Sequence, residues 1–302
     1  MIIQIYTSKS AKEVIHYFIG SQTLEEYYSK DNQEFAGNWG GKGAAMLGLK
    51  GVVRDEHFGA LCKNLHPFTG EKLTPRMRDD RRPGFDMTFN VPKSVSLAYA
   101  WTKDERIIWA LRQTVHDVRE LMEEDAATRD RANGHRDGDR KTGVLVTAEY
   151  IHLTARPQGG IPDPHLHCHL YIPNVTWDAE EGRWKALQMG RIHKKADYYN
   201  WVATHYLAAN LESLGLKIIP TEDAFEIAGI SEEFNKKFSR RTQTIEAEAI
   251  KRGITDPAQK AKLAVLTRER KSKGLRISEI EPYWWAPSCL RRKRPWRALR
   301  RS

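Results

Sequence analysis

Thr147 to Trp177 reads TAEYIHLTARPQGGIPDPHLHCHLYIPNVTW, with one histidine, a turn and then three histidines at every second position, His165, His167 and His169. A strand repeats its side-chain direction every two residues, so these three share one face, and Leu166, Cys168 and Leu170 take the other, core-facing side. Val144 to Thr154 is also strand-like, and Arg156 to Pro164 is rich in Pro and Gly, as a turn requires. Antiparallel pairing about Gly159 and Gly160 sets position 152 opposite position 167 and gathers His152, His167 and His169 on one side of a sheet. A single histidine on a strand is usually a hydrogen-bonded, partly buried residue. Three alternating histidines with a fourth across a hairpin instead suit a three-nitrogen metal site with positions left open for substrate. His165 remains a ligand, a phosphate contact, or neither.

The 302-residue chain is long enough for one large domain or two small ones, and 40% hydrophobic residues can bury a real core. A formal charge of +10 fits a polyanionic partner, nucleic acid above all, although a merely soluble basic protein has the same composition. Cys62, Cys168 and Cys289 are odd in number and far apart, which implies neither a disulfide framework nor a CxxC site and fits a reducing cytosol. No apolar run approaches the length of a membrane span, and MIIQIYTSKSAKEV lacks a signal-peptide core.

Outward from the hairpin, residues 2–7 read as a short strand, and Ser10 with Glu13 opens a helix carrying Tyr17 and Phe18. A second aromatic pair, Tyr27 and Tyr28, follows. Such pairs are ordinarily packing residues, but a phenol can act as a nucleophile when the substrate is polarised by a metal. Gly40, Gly41 and Gly43 allow close backbone approach before a short helix; GGKGAA lacks the spacing of a P-loop. In PGFDMTFNVPKSVSLAYAW, Phe85, Met87 and Phe89 alternate with Asp86 and Thr88, a half-buried strand with Asp86 on its polar face. Asp86 is a surface carboxylate, an acceptor that orients a ligand histidine, or a base for a phenol. Lys93 sits near a helix N-terminus, a good place to meet phosphate. Helices are expected over 104–128, 190–215 and 231–252, the last with Arg240 and Arg241 as phosphate contacts or solvated residues. A charged loop spans 128–142, and a short strand pair lies in KIIPTEDAFEIAGI. Lys271 to Ser302, with LRRKRPWRALRR, reads as a poorly ordered or partner-dependent basic tail.

Several of these segments, in this order, resemble the relaxase domain of conjugative plasmid-transfer proteins, the TrwC/TraI-like (MobF) branch of the HUH endonucleases. Tyr17-Phe18 and Tyr27-Tyr28 are similar to the two tyrosine pairs of that family. NWGGKGAAMLGLKG, GFDMTFNVPKSVS, HLTARPQGGIPDPHLHCHLYIPN, FSRRTQTIEA and LTRERK are similar to its successive blocks, so the resemblance covers roughly Tyr17 to Lys271. The departures are Phe18 in place of a tyrosine, a longer spacing between the pairs, Cys168 where a Thr is usual, the additional His165, and the unmatched tail.

The resemblance implies one α/β (α+β) domain over 1–270, a central antiparallel sheet carrying the three-His site, helices beneath and a mobile helical lid. It implies site- and strand-specific nicking and transfer of single-stranded DNA at a plasmid origin of transfer. Tyr17 would be the nucleophile and would end joined to a 5′ phosphate, with Tyr27 or Tyr28 serving a second transfer. His152, His167 and His169 would hold a divalent ion, Mn²⁺ or Mg²⁺ or another transition ion, with Asp86 beside them. The expected partners are single-stranded and hairpin origin DNA, accessory relaxosome proteins and a secretion coupling protein, for a monomer in the cytoplasm that can travel with DNA to a recipient cell. Two other readings are a non-catalytic origin-DNA-binding protein derived from a relaxase, and a three-His zinc hydrolase that uses metal-bound water.

Overall fold

In the computed structural model, residues 1–19, 35–75, 81–130, 138–267, 269 and 276–285 are described, and elements are numbered over these. Five antiparallel strands form the central sheet: β1 (Ile2–Thr7), β2 (Asn38–Gly40), β3 (Gly84–Asn90), β6 (Thr147–Thr154) and β7 (Pro164–Pro173), in the spatial order β1-β3-β7-β6-β2. Between them come α1 (Ala11–Phe18), α2 (Lys42–Met46), α3 (Asp55–Cys62), α4 (Lys93–Thr102), α5 (Glu105–Glu124), and the small hairpin of β4 (Ala127–Arg129) and β5 (Asp139–Lys141). After the sheet follow a second hairpin, β8 (Thr176–Asp178) with β9 (Arg183–Lys185), then α6 (Gly190–Lys194) and α7 (Ala196–Ser213). The pair β10 (Ile218–Pro220) and β11 (Phe225–Ile227) leads into α8 (Glu232–Lys237), α9 (Arg240–Lys251), α10 (Pro257–Leu266) and α11 (Ile277–Trp284).

The period-2 pattern decides which face each strand residue takes. Phe85, Met87 and Phe89 of β3 and Leu166, Cys168 and Leu170 of β7 point to one side and are buried against α4, α5 and α7. Burial raises the Cys168 thiol well above its ordinary pKa, as suits a core residue. α5 presents Leu111, Val115, Val118 and Met122 at helical spacing to this core, and its first turn is capped by the Asp104 carboxylate accepting from the Arg106 N–H at 3.0 Å. The opposite face of the sheet is covered only in part. There Val14 and Phe18 of α1 and Phe58 and Cys62 of α3 bury Ala148, Tyr150 and Tyr171. The Gly-rich stretch behaves as its composition predicts: Gly41 has φ +84, and a Cβ there would collide with the Leu145 carbonyl oxygen, which accepts from Gly43 N at 2.8 Å.

The β6–β7 hairpin has the predicted register, His152 opposite His167, with a bulge beyond His152 that brings Thr154 opposite Pro164. Several boundaries differ from the sequence reading. The helix expected to reach residue 128 stops at Glu124. Asp125 is drawn away by Tyr199 Oη at 2.5 Å and Lys195 Nζ at 2.6 Å, and the chain turns into β4, inside the segment expected to be loop. The helix expected over 190–215 is broken at Lys195 into α6 and α7. The one expected over 231–252 is broken at Phe238 and Ser239, because Phe238 is buried in the core while the Arg240 N–H is capped by Asp163 Oδ2 at 3.0 Å. Part of the stretch read as a divergent tail is also integral: α11 buries Ile277, Ile280 and Trp284 in the main core, and the Trp284 indole N–H donates to the Pro162 carbonyl at 2.8 Å. The basic run after Trp285, the loop residues 131–137, and Tyr27 and Tyr28 lie outside the described residues.

Trp284→Ala is expected to lower the unfolding free energy by about 3–5 kcal/mol, the usual result of truncating a buried aromatic. Denaturant titration measures it; a change below about 0.5 kcal/mol, as for a surface tail, would refute the packing described for α11.

Candidate metal and tyrosine centre

The pleat places Tyr150 and His152 of β6, His167 and His169 of β7, and Asp86, Thr88 and Asn90 of β3 on the partly covered face. The helix lid of α1 and α3 covers Tyr150 and ends at the histidines. His152, His167 and His169 are buried, and one nitrogen from each lies within 4.8 Å of the others, the one group of this kind found among the described residues. Their ring centroids are 4.6–5.1 Å apart.

Two of the three rings are oriented by their far nitrogens. His169 Nδ1–H donates to Asp86, 2.9 Å from each carboxylate oxygen, and Thr88 Oγ1 lies 3.3 Å from the same nitrogen. His167 Nδ1–H donates to the His165 carbonyl at 2.9 Å. Each ring therefore has its Nε2 lone pair directed elsewhere. A carboxylate or a backbone carbonyl on the far nitrogen is the arrangement that metal-ligating histidines ordinarily show. Three imidazoles with two such supports fit a divalent metal ion.

Tyr17 lies at the end of α1, whose N-terminus is fixed by Ser10 Oγ accepting from the Glu13 N–H. Val14 and Phe18, one turn apart, are buried on the sheet, which turns the half-buried Tyr17 toward the histidines. Its hydroxyl donates to His169 Nε2 at 3.3 Å, and its ring meets that of His169 edge-on at 5.6 Å. Phe18 stacks on Tyr150 at 4.8 Å and touches His169 by its edge at 5.7 Å, so the residue that departs from the family's tyrosine pair serves as packing. The structure thus brings Tyr17, Asp86, His152, His167 and His169 together.

His165 is set apart. Its Nε2 is paired with Asn90 Oδ1 at 3.1 Å, and desolvation, with the nearby Lys93 ammonium and His169, pushes its pKa down to about 3. Lys93 stands at the start of α4 as expected, but its Nζ donates to the Pro164 carbonyl at 2.8 Å, and burial lowers its pKa to about 8. Arg240 and Arg241 are also turned inward. Arg240 pairs with Asp163 (Nε–Oδ1, 2.7 Å) and donates to the Ile161 carbonyl at 2.8 Å; Arg241 donates to the carbonyls of Thr267 (2.7 Å) and Ala264. Each of these three cations, expected at phosphate, is paired in this structure with buried or half-buried oxygens of its own chain. Thr88 and Asn90 carry no predicted role, yet their place on the polar face of β3, two and four residues after Asp86, was the available signal.

The chain matches the family described as TrwC relaxase over residues 6–287. It is 33% identical over 277 residues to the multifunctional conjugation protein TraI of Escherichia coli (strain K12), covering 86% of this chain. The match spans 15% of the length of that relative. Among solved structures it is similar to the conjugative relaxase TrwC in complex with oriT DNA, both metal-free and metal-bound, with TM-score 0.81, 29% identity, and coverage of 94% of this chain and 96% of the other. TrwC complexed with a 27-mer DNA comprising the recognition hairpin and the cleavage site gives TM-score 0.79 at 27% identity, with the same coverage.

Asp86→Ala is expected to weaken Mn²⁺ binding about 10- to 100-fold by freeing the His169 ring, and His167→Ala to abolish it. Titration calorimetry reads both; wild-type affinity in His167→Ala would remove that residue from the ligand set.

Proposed function

Because this chain belongs to the TrwC relaxase family, we propose that it nicks and transfers single-stranded DNA at a plasmid origin of transfer through a covalent 5′-phosphotyrosine intermediate. The observation that carries this reading is the Tyr17 hydroxyl 3.3 Å from Nε2 of a histidine whose other nitrogen is held by Asp86. A divalent ion on His152, His167 and His169 would supply Lewis-acid polarisation of the scissile phosphate, and imidazole ligands suit Mn²⁺ or another transition ion better than Mg²⁺.

Tyr17 Oη attacks phosphorus as the P–O3′ bond breaks; the phenol proton passes through solvent to the departing oxygen, so the released strand ends in a 3′ hydroxyl. One phosphodiester replaces another, so the bond energy is kept and the step can reverse or pass the strand to a new hydroxyl. Asp86 is assigned to orienting His169 rather than to taking the phenol proton, since both of its oxygens lie at that ring. The rigid sheet under Asp86 and the histidines, and the packed end of α1 under Tyr17, supply the positioning that such a reaction needs.

Further parts of the reading follow from the family. Tyr27 or Tyr28 serves the second strand transfer. The substrate is single-stranded and hairpin DNA at the origin, and the protein works as a monomer with accessory relaxosome and coupling proteins in the cytoplasm, travelling with the DNA. No helix among the described residues is long and apolar enough to cross a membrane. The catalytic domain extends through α11. Arg240 and Arg241 serve DNA indirectly, by fixing the C-terminal helices beside the hairpin turn.

With Mn²⁺ and a single-stranded origin oligonucleotide, wild type is expected to give a covalent protein–DNA band on a denaturing gel and Tyr17→Phe none, with DNA binding retained. A band in both transfers the nucleophile to Tyr27 or Tyr28. Cleavage without a band selects metal-bound water, and binding without cleavage selects the non-catalytic reading.

A further inference from the structure

Resting on this reading, we propose that the outward face of the edge strand β1, formed by Ile2, Gln4 and Tyr6, is a stacking floor for one of the two bases flanking the scissile phosphate, with the Tyr6 ring as its platform. The register of β1 on β3 sets Ile2 opposite Asn90, Gln4 opposite Thr88 and Tyr6 opposite Asp86. Residues directly opposite in an antiparallel pair share a face, so these three continue the rows that carry His167, His169 and Asp86 outward to the sheet edge. The alternate residues, Ile3 and Ile5, pack on the main core.

Ile2 and Tyr6 are 61% and 50% exposed. They are thus two large apolar side chains on one face, next to a polar site that has to receive a flexible strand. The Tyr6 hydroxyl donates to Gln4 Oε1 at 2.8 Å, the next residue of the same face, which lays the ring along the strand and holds it before any ligand arrives. A ring fixed in this way stacks any base without reading its sequence. His169 to Gln4 is two strand spacings, about 10 Å, so β1 lies within reach of the base of a nucleotide whose phosphate is at Tyr17. Tyr6 is in this sense a positioning residue, acting on the neighbouring base and not on the reacting atoms.

The test uses the full chain as wild type, Tyr6→Phe and Tyr6→Ala, with origin single strands carrying 2-aminopurine on either side of the nick. Binding is read with EDTA present, and covalent adduct formation with Mn²⁺. Quenching is expected at one of the two positions in wild type and Tyr6→Phe and absent in Tyr6→Ala. The DNA concentration for half-maximal adduct formation should rise roughly 10-fold in Tyr6→Ala with little change in maximal rate. Normal adduct formation with identical fluorescence at both positions in all three proteins overturns the proposal and leaves the nicking reading intact. Loss of adduct in wild type overturns the nicking reading itself. A change in the association state of the DNA-free protein in Tyr6→Ala would assign the surface to a second copy instead.

Discussion

The hydrogen bond from His169 to Asp86, 2.9 Å to either carboxylate oxygen, constrains most of what surrounds it. It decides which nitrogen of the ring carries the proton, and so which one presents a lone pair to the open side. The Tyr17 hydroxyl lies on that lone pair at 3.3 Å. The bond requires β3 and β7 to be neighbours in a fixed register, with Thr88 opposite His169 and Asp86 one pleat further along. A slip of one residue would turn Asp86 into the core and Phe85 toward the histidines. The hydrophobic alternation of β3 forbids that slip, because Met87 and Phe89 have no exposure at all where they stand.

The second constraint is that the sheet is covered unequally. One face lies wholly on α4, α5 and α7. The other carries α1 and α3 over Ala148, Tyr150 and Tyr171 and no further, so the site sits at the rim of a packed layer. This rim gives each group what it needs. The imidazoles are buried, the tyrosine is half in contact with solvent, and the rows continue to the exposed side chains of β1. Phe18 shows how closely packing and chemistry are joined here: it holds α1 on Tyr150 and by the same contact sets the direction of Tyr17.

The turn of the histidine hairpin is secured from outside the sheet. Arg240 holds Asp163, Thr244 holds Gln158, Glu269 accepts from the N–H groups of Gly159 and Gly160, and Trp284 donates to Pro162. A turn rich in Pro and Gly is a weak support for a metal site by itself. Four residues of the C-terminal segment, Arg240, Thr244, Glu269 and Trp284, give it a fixed backbone.

The amino-acid sequence by itself determined the strand that bears the histidines, the face they share, the pairing of position 152 with 167 and the polar side of β3. All of these follow from a period of two and a turn whose centre is marked by two glycines. The order of family-like segments around them made Tyr17 and Asp86 legible as well. What only the tertiary structure decided is which neighbour each polar group takes. Lys93, Arg240 and Arg241 are basic and stand near helix starts, a local pattern that reads as a phosphate contact. Yet carbonyls and a carboxylate distant in the chain reach them first. The breaks at Lys195 and Ser239, and the docking of α11, have the same origin. Helical periodicity is a local property, whereas the burial of Phe238 and Trp284 and the capture of Asp125 by Tyr199 and Lys195 depend on residues that meet only once the sheet has formed.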